Sequence, residues 1–234
     1  MGDLMSKPLI SFCLPTYNRN EWVGECLQSL VEQTEKNIEI VVVDDGSNDG
    51  SREILEYFAS TDPRVRIIYN ETNIGGGRSR NIAAEAAAAE IVAVCDSDDV
   101  YPKDRAEATL RWFAENPQGE LVNFPYVRID YFGDVMPPPF WGAEFDEQAF
   151  KENGSVNYFC NPSVAYKKKS AEEIGGYQPE NKQMTDDIQF LTNWVKAGKK
   201  VGFDSRVFGV MHRVLPDSMM AKQRGFQAEW AVKS

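Results

Sequence analysis

Ile38-Glu39-Ile40-Val41-Val42-Val43 runs straight into Asp44-Asp45-Gly46-Ser47, and this abrupt join of an apolar run to a polar turn decides the fold. Five of the six residues in the run are β-branched aliphatics, which suits a buried strand. Upstream, Pro8 to Pro15 (PLISFCLP) is a second such run that stops at a proline and gives way to the turn Thr16-Tyr17-Asn18-Arg19. Between the two, Glu21 to Gln33 places Val23, Leu27, Leu30 and Val31 at helical spacing. Downstream, Ser51 to Ala59 reads as a helix with Ile54, Leu55 and Phe58 on one face. Val65 to Tyr69 is a short strand, and Arg80 to Glu90 an alanine-rich helix. Ile91 to Cys95 is a further strand that empties into Asp96-Ser97-Asp98-Asp99.

Apolar strands alternating with amphipathic helices predict an α/β fold with a mostly parallel sheet covered on both faces. Ligands of such sheets sit beyond the carboxyl ends of the strands. Thr16-Tyr17, Asp44-Asp45 and Asp96 to Asp99 all fall at such ends. The second half changes character. Val122 to Asp130 and Val156 to Tyr166 read as strands around a stretch rich in proline and aromatics, Pro137 to Trp141. A helix from Asp187 to Ala197 and a strand from Val201 to Phe203 follow, and Leu215 to Ser234 reads as a final helix or a lid.

The 234 residues suffice for a substantial core, and 42% hydrophobic with 26% charged residues is ordinary for a globular protein. The formal net charge of −11 argues against a nucleic-acid partner, which needs a basic face. An acidic protein that binds an anionic nucleotide diphosphate calls for a divalent cation between them. Cys13, Cys26, Cys95 and Cys160 form no C-x-x-C pair, so buried free thiols in a reducing cytosol are expected. Met1 to Lys7 lacks a signal-peptide pattern, and no apolar run approaches the roughly 20 residues of a membrane span. The expected location is cytoplasmic, with peripheral association at the inner face of the membrane left open.

Asp96-Ser97-Asp98-Asp99 sets three carboxylates in four positions, and these repel one another unless a cation or hydrogen-bond donors compensate. Mg²⁺ or Mn²⁺ suits such a site, since hard ions take one or two carboxylates plus phosphate oxygens. The plain alternative is a solvated acidic loop with Asp99 capping a helix. In Asp44-Asp45-Gly46-Ser47 a carboxylate can accept from a base N–H or a ribose hydroxyl, or it can cap a helix. An aspartyl-phosphate phosphatase motif fails here, because Val43 stands at the nucleophile position. Asn73 to Asn81 (NIGGGRSRN) joins glycines and two arginines to a helix start, a combination that attracts phosphate or simply makes a turn. In Thr185-Asp186-Asp187 one carboxylate can cap the helix while the other acts as general base. His212, the single histidine, is a candidate metal ligand or a structural residue.

Together these stretches resemble the inverting glycosyltransferase family 2 of the GT-A fold. SFCLPTYNR is similar to its opening strand and turn, VVVDDGSNDGS to its second strand, and NIGGGRSRN to its N-x-G…RN segment. CDSDDVYPKDR is similar to its D-x-D region, Ile174 to Tyr177 to its G-G-[FY] turn, and MTDDIQFLTNWVKAGKKV to its E-D segment, with Asp186 in place of the usual Glu. The resemblance implies one GT-A domain over residues 1–234: a nucleotide-sugar half (1–115), an acceptor-side half (116–214) and a tail or lid (215–234). It implies that Pro15, Thr16 and Tyr17 border the base, that Asp45 hydrogen-bonds it, and that Gly75, Arg80 and Ser97 lie at the nucleotide. It further assigns Asp96 to the ribose, Asp98 to a metal that bridges the diphosphate, and Asp187 to the general base. A nucleoside-diphosphate sugar, UDP-linked by preference, is the implied donor, and a saccharide or glycolipid hydroxyl of a surface polysaccharide or glycan the implied acceptor. One departure stands out: in the family's Y-R-x-H-x-x-S run, Leu215 takes the histidine position and His212 that of the tyrosine. Either His212 substitutes in the metal shell, or Asp98 and the diphosphate hold the ion largely unaided. Phe140, Trp141 and Tyr158 are candidates for stacking on an acceptor sugar, with core packing as the alternative.

Two other classes compete. A nucleotidyltransferase also uses acidic strand ends, but calls for a glycine-rich loop where this chain has Pro15-Thr16-Tyr17-Asn18. A non-catalytic nucleotide-sugar-binding module is suggested by the short tail and by Leu215 at the histidine position.

Overall fold

The computed structural model describes residues 7–138, 142, 146, 148, 159–178 and 185–215. Four parallel strands form the frame: β1 (Ile10–Thr16), β2 (Ile38–Asp44), β3 (Val65–Tyr69) and β4 (Ile91–Val94). The chain steps outward from β1 to β2 and β3, then crosses back to place β4 on the other side of β1. The sheet continues through β7 (Ala165–Lys167), β5 (Leu121–Asn123) and β8 (Val201–Phe203), in the order β3-β2-β1-β4-β7-β5-β8. Strand β7 runs antiparallel to both β4 and β5, and β8 is parallel to β5. This is the mixed, mainly parallel sheet of the GT-A fold.

Every residue of β1 is buried, because both faces of the sheet are covered. Side chains alternate across a strand, so one strand feeds two cores. Ile10, Phe12, Leu14, Ile40 and Val42 pack with Leu27 of α1 (Val23–Val31), Leu55 of α2 (Ser51–Thr61) and Phe113 of α4 (Arg105–Glu115). Cys13, Val41, Val43 and Val94 point the other way, into a core with Ala83 of α3 (Gly76–Ala86). That second core also takes Ala171 of α5 (Lys168–Glu173) and Phe190 and Trp194 of α6 (Asp186–Lys196). The four cysteines are buried free thiols, as expected.

Several elements differ from the sequence expectation. The single strand expected over Val122 to Asp130 is two. At Phe124-Pro125 the chain leaves β5 and enters β6 (Tyr126–Ile129), which pairs in parallel with β9 (Val210–Arg213) as a separate sheet. Pro125 has no N–H to give a ladder, so a change of sheet there costs no hydrogen bond. Of the strand expected over Val156 to Tyr166 only the end lies in β7, and Asn161–Ser163 is a 3-10 turn. Helix α3 begins at Gly76, within the glycine loop rather than after it. Helices α4 and α5 and strand β9 were not expected. Helix α4 nevertheless buries Ala106, Thr109, Trp112 and Phe113, a helical spacing visible in the sequence. Phe140, Trp141, Tyr158 and the tail beyond Leu215 lie outside the described residues. Among the described residues no helix is long and apolar enough to cross a membrane.

Strand β8 meets α4 at close quarters, since a methyl group at Gly202 would fall 2.0 Å from Trp112 Cζ2. Gly202→Ala therefore overpacks this contact and should lower the unfolding free energy by about 1–3 kcal/mol in urea titrations.

Candidate functional site

The loops leaving β1, β2, β3 and β4 converge on one side of the sheet, where β1 lies between β2 and β4. They line an open cleft of about 480 Å³. All eight residues assigned to the nucleotide line it: Pro15, Thr16, Tyr17, Asp45, Gly75, Arg80, Asp96 and Ser97. Asp98, assigned to the metal, lines it as well, and Arg19, Asn73 and Gly76 complete the wall. Asp187 and His212 stand outside this lining.

Asp45 is buried and accepts from three donors. Asn70 Nδ2 donates to Oδ1 at 2.8 Å, the Ile74 amide to Oδ1 at 3.0 Å, and the Gly75 amide to Oδ2 at 2.9 Å. Two of the loop amides expected to face phosphate are therefore spent on this carboxylate. Its neighbour Asp44 is fully buried and held by Arg52 Nε at 2.7 Å and the Ser47 amide at 3.2 Å. Neither aspartate caps α2, whose first residue is Ser51. Among the described residues Thr16 Oγ1 and Arg80 Nε, both buried in the cleft wall, have no hydrogen-bond partner.

Each carboxylate of the acidic turn has its own cation. Arg80 reaches Asp96 Oδ1 from NH2 at 2.7 Å, and Asp186 Oδ2 from NH1 at 3.1 Å. Burial works against the charge of Arg80, but Asp96 and Asp186 overcome it and hold the guanidinium above its ordinary pKa. Arg19 Nε lies 3.3 Å from Asp98 Oδ2. Burial and then the charge of Asp96 push the Asp98 carboxyl upward, and Arg19 only partly offsets them. Asp99 is fully buried and does not cap a helix; α4 begins six residues later. Its Oδ1 accepts the Arg213 amide at 2.8 Å, and His212 Nδ1 lies 3.1 Å from the same oxygen. Burial raises the Asp99 carboxyl to about 6. Burial alone would lower His212, but Asp99 dominates and His212 is pushed up to about 9.

Arg213, which sequence reasoning missed, locks this corner. Its Nε donates to the Asp98 carbonyl at 2.9 Å, and NH1 to the carbonyls of Asp130 (3.2 Å) and Tyr131 (2.9 Å). NH2 reaches Glu25 Oε2 at 2.6 Å. It stands at the arginine of the Y-R-x-H-x-x-S run, the one signal in the sequence that could have marked it. With Nδ1 of His212 turned to Asp99, only Nε2 is left for a metal, an arrangement in which a carboxylate orients a ligating imidazole. Among the described residues no three His, Cys, Asp or Glu side chains cluster as a ready-made cation cage.

Beyond Arg80, Asp186 and Asp187 open α6. Asp186 Oδ1 accepts the Asp187 amide at 2.8 Å. Asp187 Oδ1 accepts the Ile188 amide at 2.7 Å and the Thr185 hydroxyl, which leaves its Oδ2 free among the described residues. Burial raises the Asp186 carboxyl, and Arg80 opposes it. Next to Arg80, Asn81 brackets Tyr177: Nδ2 donates to its carbonyl at 2.7 Å, and Oδ1 accepts its amide at 2.8 Å. This bracket accounts for the arginine–asparagine pair and for the Gly175-Gly176 turn, where Gly176 has φ +65° and a methyl would fall 2.6 Å from Asn81 Oδ1.

A mainly parallel sheet with a polar cleft at its strand ends defines a class of ligand-binding α/β proteins. The family model described as Glycosyl transferase family 2 matches residues 11–175, and the chain belongs to that family. An uncharacterized glycosyltransferase of Haemophilus influenzae is 35% identical over 189 residues, 78% of this chain and 60% of that protein. The Bacillus subtilis protein provisionally named as the teichuronic acid biosynthesis glycosyltransferase TuaG is 38% identical over 109 residues, 47% of this chain and 43% of that one. The chain thus spans less than two thirds of these relatives. Among solved structures, Staphylococcus aureus TarS 1-349 in complex with UDP superposes with a TM-score of 0.69 at 25% identity, over 88% of this chain and 61% of that one. The mannosyltransferase PcManGT of Pyrobaculum calidifontis, in complex with GDP-Man and Mn²⁺, shares the fold with a TM-score of 0.64 at 23% identity, over 86% and 56%.

The His212–Asp99 pair has a pH signature. His212 titrates near 6.5 when unfolded and at about 9 when folded, so its contribution is complete below 6.5 and lost as pH rises to 9. With EDTA present, the unfolding free energy of the parent chain minus that of His212→Gln should fall over this window. A flat difference would remove the charged pair from the account.

Proposed function

We propose that the chain is a metal-dependent inverting glycosyltransferase that moves a sugar from a nucleoside diphosphate, UDP by preference, to a hydroxyl of a saccharide or glycolipid acceptor in surface polysaccharide synthesis. The observation that carries this reading is the convergence of nine residues, assigned independently to donor and metal, on one cleft at the strand ends. The ligands named for the structural neighbours, UDP and GDP-Man with Mn²⁺, support the donor class. The teichuronic acid role given to the Bacillus relative supports a wall or surface glycan as acceptor.

In this reading Pro15, Thr16 and Tyr17 border the base, and the unpartnered Thr16 Oγ1 supplies a hydrogen bond to it. Asp45 shapes that pocket by holding the 70–75 loop, and its Oδ2, which accepts only from Gly75, retains a lone pair for the base. Gly75 lets the backbone approach the nucleotide, while Arg80, Asp96 and Ser97 face the ribose and diphosphate. Asp187 acts as general base. Its Oδ1 is pinned by Thr185 and Ile188, so Oδ2 is presented in a fixed direction to take the acceptor hydroxyl proton. The oxygen so freed attacks the anomeric carbon opposite the diphosphate, and configuration inverts.

The residues present fit a hard divalent cation, Mn²⁺ or Mg²⁺. Asp98 has one long contact to Arg19 and a carboxyl pushed upward by burial and a like charge, both of which a cation would relieve. Asp98 would hold it with diphosphate oxygens, and His212 through Nε2. Such an ion supplies charge stabilisation for the departing nucleoside diphosphate.

Asp187→Asn should lower sugar transfer by about 10²–10⁴-fold while UDP still binds. Transfer at an undiminished rate would be fatal to the base assignment, and a parent chain that binds UDP-sugars without transferring to any acceptor would favour a non-catalytic module. Asp98→Ala should weaken Mn²⁺-dependent UDP binding in calorimetry. Equal UDP affinity of the parent with and without Mn²⁺ contradicts the metal role. A thermal-shift panel of nucleotides identifies the base, because ligands of the native state raise its apparent stability.

A further inference from the structure

Asp186 neither lines the donor cleft nor serves as the proposed base, yet it is the best-connected group between them. Asp96 Oδ1 meets Arg80 NH2 at 2.7 Å, Arg80 NH1 meets Asp186 Oδ2 at 3.1 Å, and Asp186 Oδ1 accepts the Asp187 amide at 2.8 Å. The chain of contacts is unbroken from the end of β4, through α3, to the first turn of α6. It is also sheltered, with side-chain exposures of 23% for Asp96, 14% for Arg80 and 9% for Asp186. The guanidinium is rigid and planar, and its two terminal nitrogens grip different carboxylates, so moving one carboxylate moves the fork presented to the other. Gly77 sets the approach of the helices, since a methyl there would fall 2.6 Å from Asp186 Oδ2. A capping role alone asks only for the bond from Asp186 to the Asp187 amide. It explains neither the second oxygen on Arg80 nor a glycine that admits Asp186 to the surface of α3.

We infer that Asp186 is a positioning residue: by gripping Arg80 it ties the start of α6, which presents Asp187, to the Asp96 turn at the nucleotide end of the cleft. The inference deepens the proposed transferase reading and rests on its placement of the donor at Asp96 and the base at Asp187. Occupancy of the cleft orders Asp96 and Arg80, and through Asp186 it orders the backbone that carries the base.

The test is amide hydrogen exchange on the full chain, with and without UDP and Mn²⁺, in the parent and in Asp186→Asn. In the parent, UDP should slow exchange at Ile74 and Gly75 in the cleft wall and also at residues 187–189 in α6. In Asp186→Asn the first effect should persist and the second disappear. Turnover, read as UDP released from UDP-GlcNAc with acceptor, should fall about 100-fold at unchanged UDP affinity, because a base displaced by about 1 Å loses that much. Asp186→Glu, which keeps the carboxylate, should recover most of it. Gly77→Ala reaches the same contact from the α3 side and replaces Asp186→Asn should that variant not fold. The inference is overturned if UDP leaves residues 187–189 unprotected in the parent, or if Asp186→Asn keeps both the protection and the turnover. Protection of α6 in a parent chain that transfers no sugar would sink the transferase reading and leave the tie standing. Transfer without that protection would do the reverse.

Discussion

A buried carboxylate that takes three hydrogen bonds, Asp45, sets the geometry from which the rest of the site follows. Charge-assisted bonds to an ionised carboxylate are about twice as strong as neutral ones, and a carboxylate this deep has to be satisfied. By holding the amides of Ile74 and Gly75 it fixes the loop after β3, and with it the point at which α3 starts. The first turns of α3 then deliver Gly77, Arg80 and Asn81 to Asp186, Asp96 and Tyr177. Donor wall, acidic turn and proposed base are thereby registered to one another through one helix, itself positioned from the end of β2.

The electrostatic problem posed by three carboxylates in four residues is solved one by one. Asp96 has Arg80, Asp98 has Arg19, and Asp99 has His212 with the Arg213 amide. The three solutions differ in completeness. Asp96 and Asp99 make short, well-directed contacts, whereas the Asp98 side chain has one contact of 3.3 Å, to Arg19. That difference, together with its place in the cleft lining, is why the proposed cation is assigned to Asp98.

The parallel half of the fold was legible because strands buried on both faces print continuous apolar runs, and the cleft because polar clusters stood at the ends of those runs. Legibility failed where partners are remote. Strands β6 and β9 are 81 residues apart at their nearest ends and short, so neither carries a decisive local pattern. Asp99 looks locally like a helix cap, but its partners are 113 and 114 residues away. Arg213 matches the arginine of the Y-R-x-H-x-x-S run, but its role appears only when the backbone of Asp130 and Tyr131 folds beneath it. Asp186 and Asp187 read as a capping pair, and only the arrival of Arg80 separates their environments. The helix α4 was different: its spacing was present in the sequence and went unread.

Arg213 also bears on how the site meets its ligand. One side chain joins the acidic turn, the segment just after β6 and α1, three segments with no covalent proximity. A corner fastened in this way is assembled during folding, so the conformational entropy of arranging it is lost before any ligand arrives. An incoming nucleotide then loses freedom only on its own account, and more of its contact energy remains as affinity. The buried arginine is thus a device for preorganisation, fastening the acidic turn at the cleft to the segment after β6 and to α1.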